Sequence, residues 1–254
     1  MGNKTFFRIF RFPLRAIRGD FLAFQRFHWV KKNLPRLKNK NLLDVGCGRG
    51  PFSMYASGKG YNSLGLTWDK KDSEEANNDV KILNLKKCKF EVQDVRTLGD
   101  RKDLFNKSDV ILCTENIEHI IDDKKLMNSM NKCLKKDGKL LLTAPSINYI
   151  PLGGGDVGPF RKIEDGGHVR KGYSEKDLRN LCKHSNFKVI SIDYYGGYFG
   201  QKLTKFYRFI EPFSSKLAWI VTLPFKIFPT SLDNKITKKI KWPEYSICLV
   251  AEKK

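Results

Sequence analysis

The sequence predicts an α/β protein built on a doubly wound, mostly parallel sheet, and three observations predict it. Short apolar runs around 42–45, 108–114 and 139–145 alternate with segments of helical spacing, the rhythm that strand–helix–strand crossovers produce. The first run breaks into Gly46-Cys47-Gly48-Arg49-Gly50, a turn that needs positive φ angles and lets a ligand approach main chain without Cβ atoms in the way. Strand ends carry polar residues, Asp44, Thr67, Asp94 and Thr114-Glu115, so the ends converge on one polar crevice.

Bulk properties bound the answer. A chain of 254 residues is long enough for one large α/β domain with an appendage and a sizeable core. Its 48 basic and 27 acidic residues leave a formal charge of +21, which favours anionic partners: nucleic acid, anionic lipid or an acidic substrate. Lysine spread along the chain is also what a plain compositional bias produces. The six cysteines form no C-x-x-C pair and most sit in apolar runs, so a reduced, cytoplasmic chain without zinc is expected. The opening residues hold no uninterrupted apolar core or small-residue cleavage site, so no secretory signal is expected. No apolar run approaches the roughly 18 to 20 residues that cross a bilayer.

Residues 5–30 interleave aromatics such as Phe6, Phe10, Phe24 and Trp29 with Arg8, Arg11, Arg15, Arg18 and Arg26, and Pro13 and Gly19 divide them into two amphipathic pieces. They read either as a membrane-surface segment or as helices packed on the sheet edge, with 1–34 preceding a domain over 35–254. After the glycine turn a helix starts at Phe52, and 61–67 forms a second strand ending at Trp68-Asp69. Asp72–Asp79 is polar and loop-like, with Glu74, Glu75 and Asp79 reading as a solvated helix start. Lys89–Val95 is a third strand, and Ser108–Thr114, apolar throughout, a fourth buried on both faces.

Leu126–Leu134 has helix spacing and stops at Asp137-Gly138, where a glycine suits a C-cap, before a fifth strand over 139–145. The glycine-rich stretch Ile147–Gly172 is too long for a simple connection and reads as a lid over the acceptor. Within it His168 is the first choice for a general base, since imidazole takes a proton near neutral pH. Ser174 and Asp177 form a capping box that opens a helix, and 187–193 and 245–251 complete seven strands. Between these last strands lies an aromatic and basic insertion, 196–243, with Phe206, Phe209, Phe213, Trp219 and Phe225 beside Lys202, Lys205 and Lys216. It suits an acceptor cap or a membrane-facing element broken at Pro224.

The spacing Asp44-x-Gly-x-Gly-x-Gly, Asp94 at a strand end and Glu115-Asn-Ile-Glu118-His119 after the fourth strand together resemble the class I S-adenosylmethionine (SAM) dependent methyltransferases, over about residues 40–195. The resemblance implies a Rossmann-like fold with an antiparallel last strand and SAM as cofactor. It implies that Asp44, Gly46, Cys47 and Gly48 cradle the cofactor, that Asp94 and Val95 meet the adenine, and that Thr114 and Glu115 face the methionine end. The acid that takes the ribose hydroxyls in the family is replaced here by Thr67; Asp69 lies two residues on, and Trp68 is placed to wall the adenine. His119 is a second candidate base. No metal is required.

The implied reaction is methyl transfer to a small-molecule, lipid or lipid-linked sugar acceptor, with peripheral contact to an anionic membrane. Nucleic-acid methylation is the alternative, against which stands Thr114-Glu-Asn-Ile in place of the N/D-P-P-Y/F segment of base-amine enzymes. A SAM-binding membrane-surface protein without turnover is the third reading.

Overall fold

The computed structural model describes residues 19–36, 38–153, 156–227 and 230–254; the aromatic–basic reading of residues 5–18 lies outside them. In chain order the elements are α1 (Phe21–Asn33), β1 (Asn41–Val45), α2 (Pro51–Gly58), β2 (Asn62–Thr67), α3 (Lys70–Leu83) and β3 (Cys88–Val92). Then come β4 (Ser108–Thr114), α4 (Asp123–Cys133), β5 (Leu134–Pro145), α5 (Glu175–His184), β6 (Phe187–Tyr195), α6 (Tyr198–Ile210), α7 (Ser215–Thr222), α8 (Thr230–Lys239) and β7 (Ser246–Lys253). The strands form one sheet in the order β3-β2-β1-β4-β5-β7-β6. β1 to β5 pair in parallel, and β7 runs antiparallel to both β5 and β6. Strand order reverses between β1 and β4, and the crevice outside that junction is where open α/β sheets take ligands.

Alternation along the central strands explains their unbroken apolar runs. Leu43, Val45, Ile111 and Cys113 enter the core on one face, with Met127, Leu178 and Leu249. Leu42, Val110 and Leu112 enter the core on the other, with Trp29, Tyr61 and Tyr149. A strand covered on both sides favours apolar side chains at successive positions, not alternate ones.

Two elements depart from the sequence reading. Asp72–Asp79, read as loop-like with a solvated helix start, lies wholly inside the helix α3, capped by Asp69, whose Oδ1 accepts from the Asp72 amide at 3.0 Å, with Ala76 and Leu83 buried on the sheet. Its apolar stripe is thin enough that polarity hid the helix. Asp137-Gly138 is no helix C-cap: α4 ends at Cys133, and the pair lies inside β5, with Asp137 at φ 61°. The capping box at Ser174 and Asp177 is present as expected.

Helix α1 belongs to the body of the domain. Asp20 caps it, Phe21, Leu22, Trp29 and Val30 are buried, and the Trp29 indole donates to Asp193 on β6 at 3.3 Å. It also meets the insertion: Gln25 donates to Asp233 of α8 at 3.2 Å, and Asp233 in turn accepts from the amides of Phe199 and Gly200 at the start of α6. The far side of the insertion is apolar and exposed, with Phe209, Phe213, Leu217, Ile220 and Phe225 all open to solvent. No helix among the described residues is long and apolar enough to cross a membrane.

Candidate active site

Two adjoining cavities open at the carboxyl ends of the parallel strands. The first, of about 230 Å³, is lined by Gly46, Gly48, Thr67, Trp68, Asp72, Asp94, Val95, Arg96, Glu115, Asn116, His119, Ile120, Glu164 and Gly166. The second, of about 140 Å³, is lined by Asp20, Leu22, Arg26, Glu115, Glu118, His119, Asp156, His168, Tyr195, Arg208, Tyr245 and Ser246. Glu115 and His119 belong to both.

Gly46 (φ 75°) and Gly48 (φ 50°) both use the left-handed region, but for different reasons. A Cβ on Gly46 would stand 2.3 Å from the Asn116 side chain, whereas one on Gly48 would meet nothing nearer than Asp72 Oδ2 at 4.0 Å. Gly46 is therefore needed for packing, and Gly48 leaves space for a ligand. The Gly46 and Cys47 amides both donate to the Leu66 carbonyl, at 3.0 and 2.8 Å, so neither is available to a cofactor. Cys47 corrects the sequence reading: its side chain is buried with Met54, Cys88 and Phe90, away from the cavity.

Beneath the turn Asp44 is fully buried; its Oδ2 accepts from Ser53 at 2.8 Å and its Oδ1 has no partner. Burial pushes its carboxyl up to about 7, against the pull of the Ser53 bonds. Thr67 lines the cavity, but Asp69 does not, because its carboxylate is spent on the α3 cap. The acid at this wall is Asp72, one turn into the helix, where Arg49 also holds it at 3.0 Å. Because the segment read as a loop, Asp72 was not singled out from sequence; the cap at Asp69 was the signal that could have found it.

Trp68 is 66 % exposed and faces Gly166 of the long loop. Asp94 caps the turn after β3, and Val95 is buried beside it. The Arg96 guanidinium, hydrogen-bonded to the Asp94 carboxylate, holds that group below the usual carboxylate range. Arg96 also donates to Glu164 at 2.9 Å, and Glu164 accepts from the Ile121 amide at 2.6 Å, so the 147–172 loop is fastened across the cavity mouth. Thr114 is buried in the sheet against Thr143 and lines neither cavity.

Glu115, at φ 47°, turns its side chain out of the sheet end. Its Oε1 accepts from Thr143 and Tyr195, each at 2.9 Å. His119 ends a short 3₁₀ turn, Ile117–His119, rather than lying within an α-helix, and its ring packs edge-on to His168 with centroids 4.8 Å apart. Glu118 is 1 % exposed; burial and then the neighbouring Glu115 push its carboxyl well above its ordinary value. Burial and then His119 lower the His168 imidazole, which favours its neutral form. The structure thus brings both candidate bases together. The far wall comes from elements that sequence reasoning left unassigned: Arg26 of α1, and Arg208 of α6, which reaches Asp156 at 3.2 Å and Asp20 at 3.6 Å. Tyr245 donates to Asp156 at 2.9 Å.

The first cavity suits SAM. It offers the space beside Gly48, the carboxylate of Asp72 for ribose hydroxyls and the Trp68 face for a base, and Asp44 keeps an orphaned oxygen under the turn.

Comparisons with known proteins agree. The chain is 32% identical over 127 residues to a ubiquinone biosynthesis O-methyltransferase of Pelagibacter ubique, which covers 46% of this chain and 51% of that protein. It thus spans about half the length of the curated relatives it matches. Among solved structures it resembles an S-adenosylmethionine dependent methyltransferase from Mesorhizobium loti, with TM-score 0.60 and 17% identity over 89% of this chain and 96% of that one. It also resembles phosphoethanolamine N-methyltransferase 2 of Haemonchus contortus solved with S-adenosyl-L-methionine, with TM-score 0.61 and 19% identity over 90% of this chain and 52% of that one. The model of the methyltransferase domain family matches residues 18–192. With that match over most of its length, and with the Rossmann-like sheet order described above, the chain belongs to the methyltransferase domain family.

Proposed function

We propose that the chain methylates a hydroxyl on a small polar acceptor bearing an anionic group, and that it meets this acceptor at a lipid surface. The observation that carries the reading is Glu115, a wall common to the cofactor cavity and the second cavity. A methyl donor in one and a hydroxyl in the other are then neighbours across one carboxylate. Arg26, whose Nε has no hydrogen-bond partner, supports an anionic group on the acceptor, because a guanidinium offers a planar fork to carboxylate or phosphate; Arg208 is already shared with Asp156 and Asp20. A charged lining of this kind favours a polar head over a hydrocarbon tail. Oxygen as the attacking atom is supported by the ubiquinone-biosynthesis O-methyltransferases among the relatives. The exposed aromatic face of α6 and α7, beside Lys202, Lys205 and Lys216, supports contact with an anionic membrane.

When bound, SAM supplies a methyl group already activated by its sulfonium. The acceptor oxygen bonds to the methyl carbon as the carbon–sulfur bond breaks toward sulfur, and the hydroxyl proton is left to the chain. Glu115, Glu118, His119 and His168 stand where that proton is released. Arg26 and Arg208 lie where they would orient the acceptor. The test is transfer of labelled methyl from SAM to water-soluble, lipid and RNA fractions of a cell extract. Label is expected in an acidic small molecule or lipid head group; label confined to RNA would overturn the reading.

A further inference from the structure

We infer that Glu118, His119 and His168 form a binding site for one first-row divalent transition-metal ion in the wall of the second cavity. The three side chains come from two segments distant in sequence, the turn after β4 and the long loop. Their potential ligand atoms lie within 4.8 Å of one another. Glu118 Oε2, His119 Nδ1 and His168 Nδ1 are all buried and have no hydrogen-bond partner. A buried polar atom left unpaired is costly, and a cation held among these three side chains gives them a partner.

The frame around them is fixed. The Val169 amide donates to the Glu118 carbonyl at 3.1 Å, and the Arg161 amide to the His168 carbonyl at 2.9 Å. Arg170 secures the same loop to Asp123 and to the carbonyls of Ile120 and Ile121. The two segments are therefore held in register, and only side-chain torsions remain. Ligand atoms about 2.1 Å from a metal stand roughly 3.4 Å apart along a tetrahedral edge, so modest imidazole rotations close the site.

The lining points the same way. Four carboxyl groups, Asp20, Glu115, Glu118 and Asp156, line the second cavity, a lining rich in oxygen donors beside the two imidazoles. Two imidazoles with one carboxylate suit manganese, iron, cobalt or zinc rather than magnesium, which prefers an all-oxygen shell, and such a set leaves coordination positions open. The open positions face the acceptor. An acceptor hydroxyl bound there loses its proton more readily, and Glu115, whose accepted bonds all go to Oε1, has Oε2 to receive it. This role rests on the methyl-transfer reading; binding of the ion does not. The ion is also at variance with the metal-free chemistry that the family resemblance implies.

The test uses the full chain, stripped with chelator and desalted, titrated with Mn²⁺ while the resonance signal of the free ion is followed. One ion per chain is expected to leave the free pool. His119→Ala, His168→Ala and Glu118→Gln are each expected to weaken that binding at least about tenfold. Thermal melts of the same samples report folding. A variant that melts with the wild type but loses Mn²⁺ supports the site. Undiminished free Mn²⁺ over a wild-type chain that binds SAM, or unaltered affinity in both histidine variants, overturns it. Should the variants fail to fold, the visible spectrum of Co²⁺ with the wild-type chain decides: intensified bands support the site, and an unchanged aquo spectrum overturns it. A chain that binds Mn²⁺ but not SAM would leave the site standing and remove the methyl-transfer reading.

Discussion

Asp69, the acid that sequence reasoning set beside Thr67 for the ribose, caps α3 instead and leaves Asp72 to face the cavity beside Gly48. Replacing Asp72 by Ala should weaken SAM binding about tenfold, the loss of one charge-assisted hydrogen bond, or ~1.4 kcal/mol. Asp69→Ala should instead cost about 1 kcal/mol of stability through the cap while leaving the SAM dissociation constant within about twofold. Calorimetric titration and thermal melts of both variants read this, and a reversed pattern would return the ribose to Asp69. Asp44 makes a second prediction. Its folded value of about 7 lies above the ordinary 3.8, so the stability tied to its neutral form is complete below about pH 4 and lost as pH rises through 7. The difference amounts to on the order of 4 kcal/mol. Between pH 6 and pH 8 the melting temperature of the wild type should fall more than that of Asp44→Asn; equal falls would show that the group is not buried as a carboxylic acid. These residues also mark the limit of sequence reading. The glycine spacing and Asp44 were legible because a strand-to-helix turn leaves few alternatives, whereas Asp72, Arg96 and Glu164 come together only through tertiary packing.

Whether an element could be read in advance followed how strongly its pattern differed from a loop. β4 and β5, covered on both faces, are continuous apolar runs that have little else to be. The capping box of α5 marked its start to the residue. Helix α3 was hidden because most of its surface meets water, leaving Ala76 and Leu83 as a sparse buried stripe. Asp137-Gly138 misled for the opposite reason: a residue pair with genuine turn chemistry was absorbed as an irregularity at the β4–β5 edge. Nor did periodicity carry the information that α1 and α6, far apart in the chain, meet at Arg26 and Arg208 to wall one cavity.

At the scale of the molecule, a basic chain carrying an exposed aromatic face has the two ingredients of reversible membrane contact. The full chain should sediment with anionic vesicles at low salt and be largely released at high salt, where charges are screened within about 3 Å. Joint replacement of Phe209 and Phe213 by Ser should reduce binding at both salts, because those rings are apolar and far from any ion pair in their effect. Absence of sedimentation at low salt would remove the membrane from the proposed function while leaving the chemistry untouched.

Glu115 stands as a partition with a single charge on it. Under the proposed assignment, whatever occupies one chamber would alter the field felt by an occupant of the other, which would link donor and acceptor thermodynamically without any hinge or domain rotation. That linkage is reciprocal: the methylated product, by withdrawing its interaction with the partition, changes the grip on the spent donor by the same factor. Such an arrangement lets a rigid sheet keep its two guests in step.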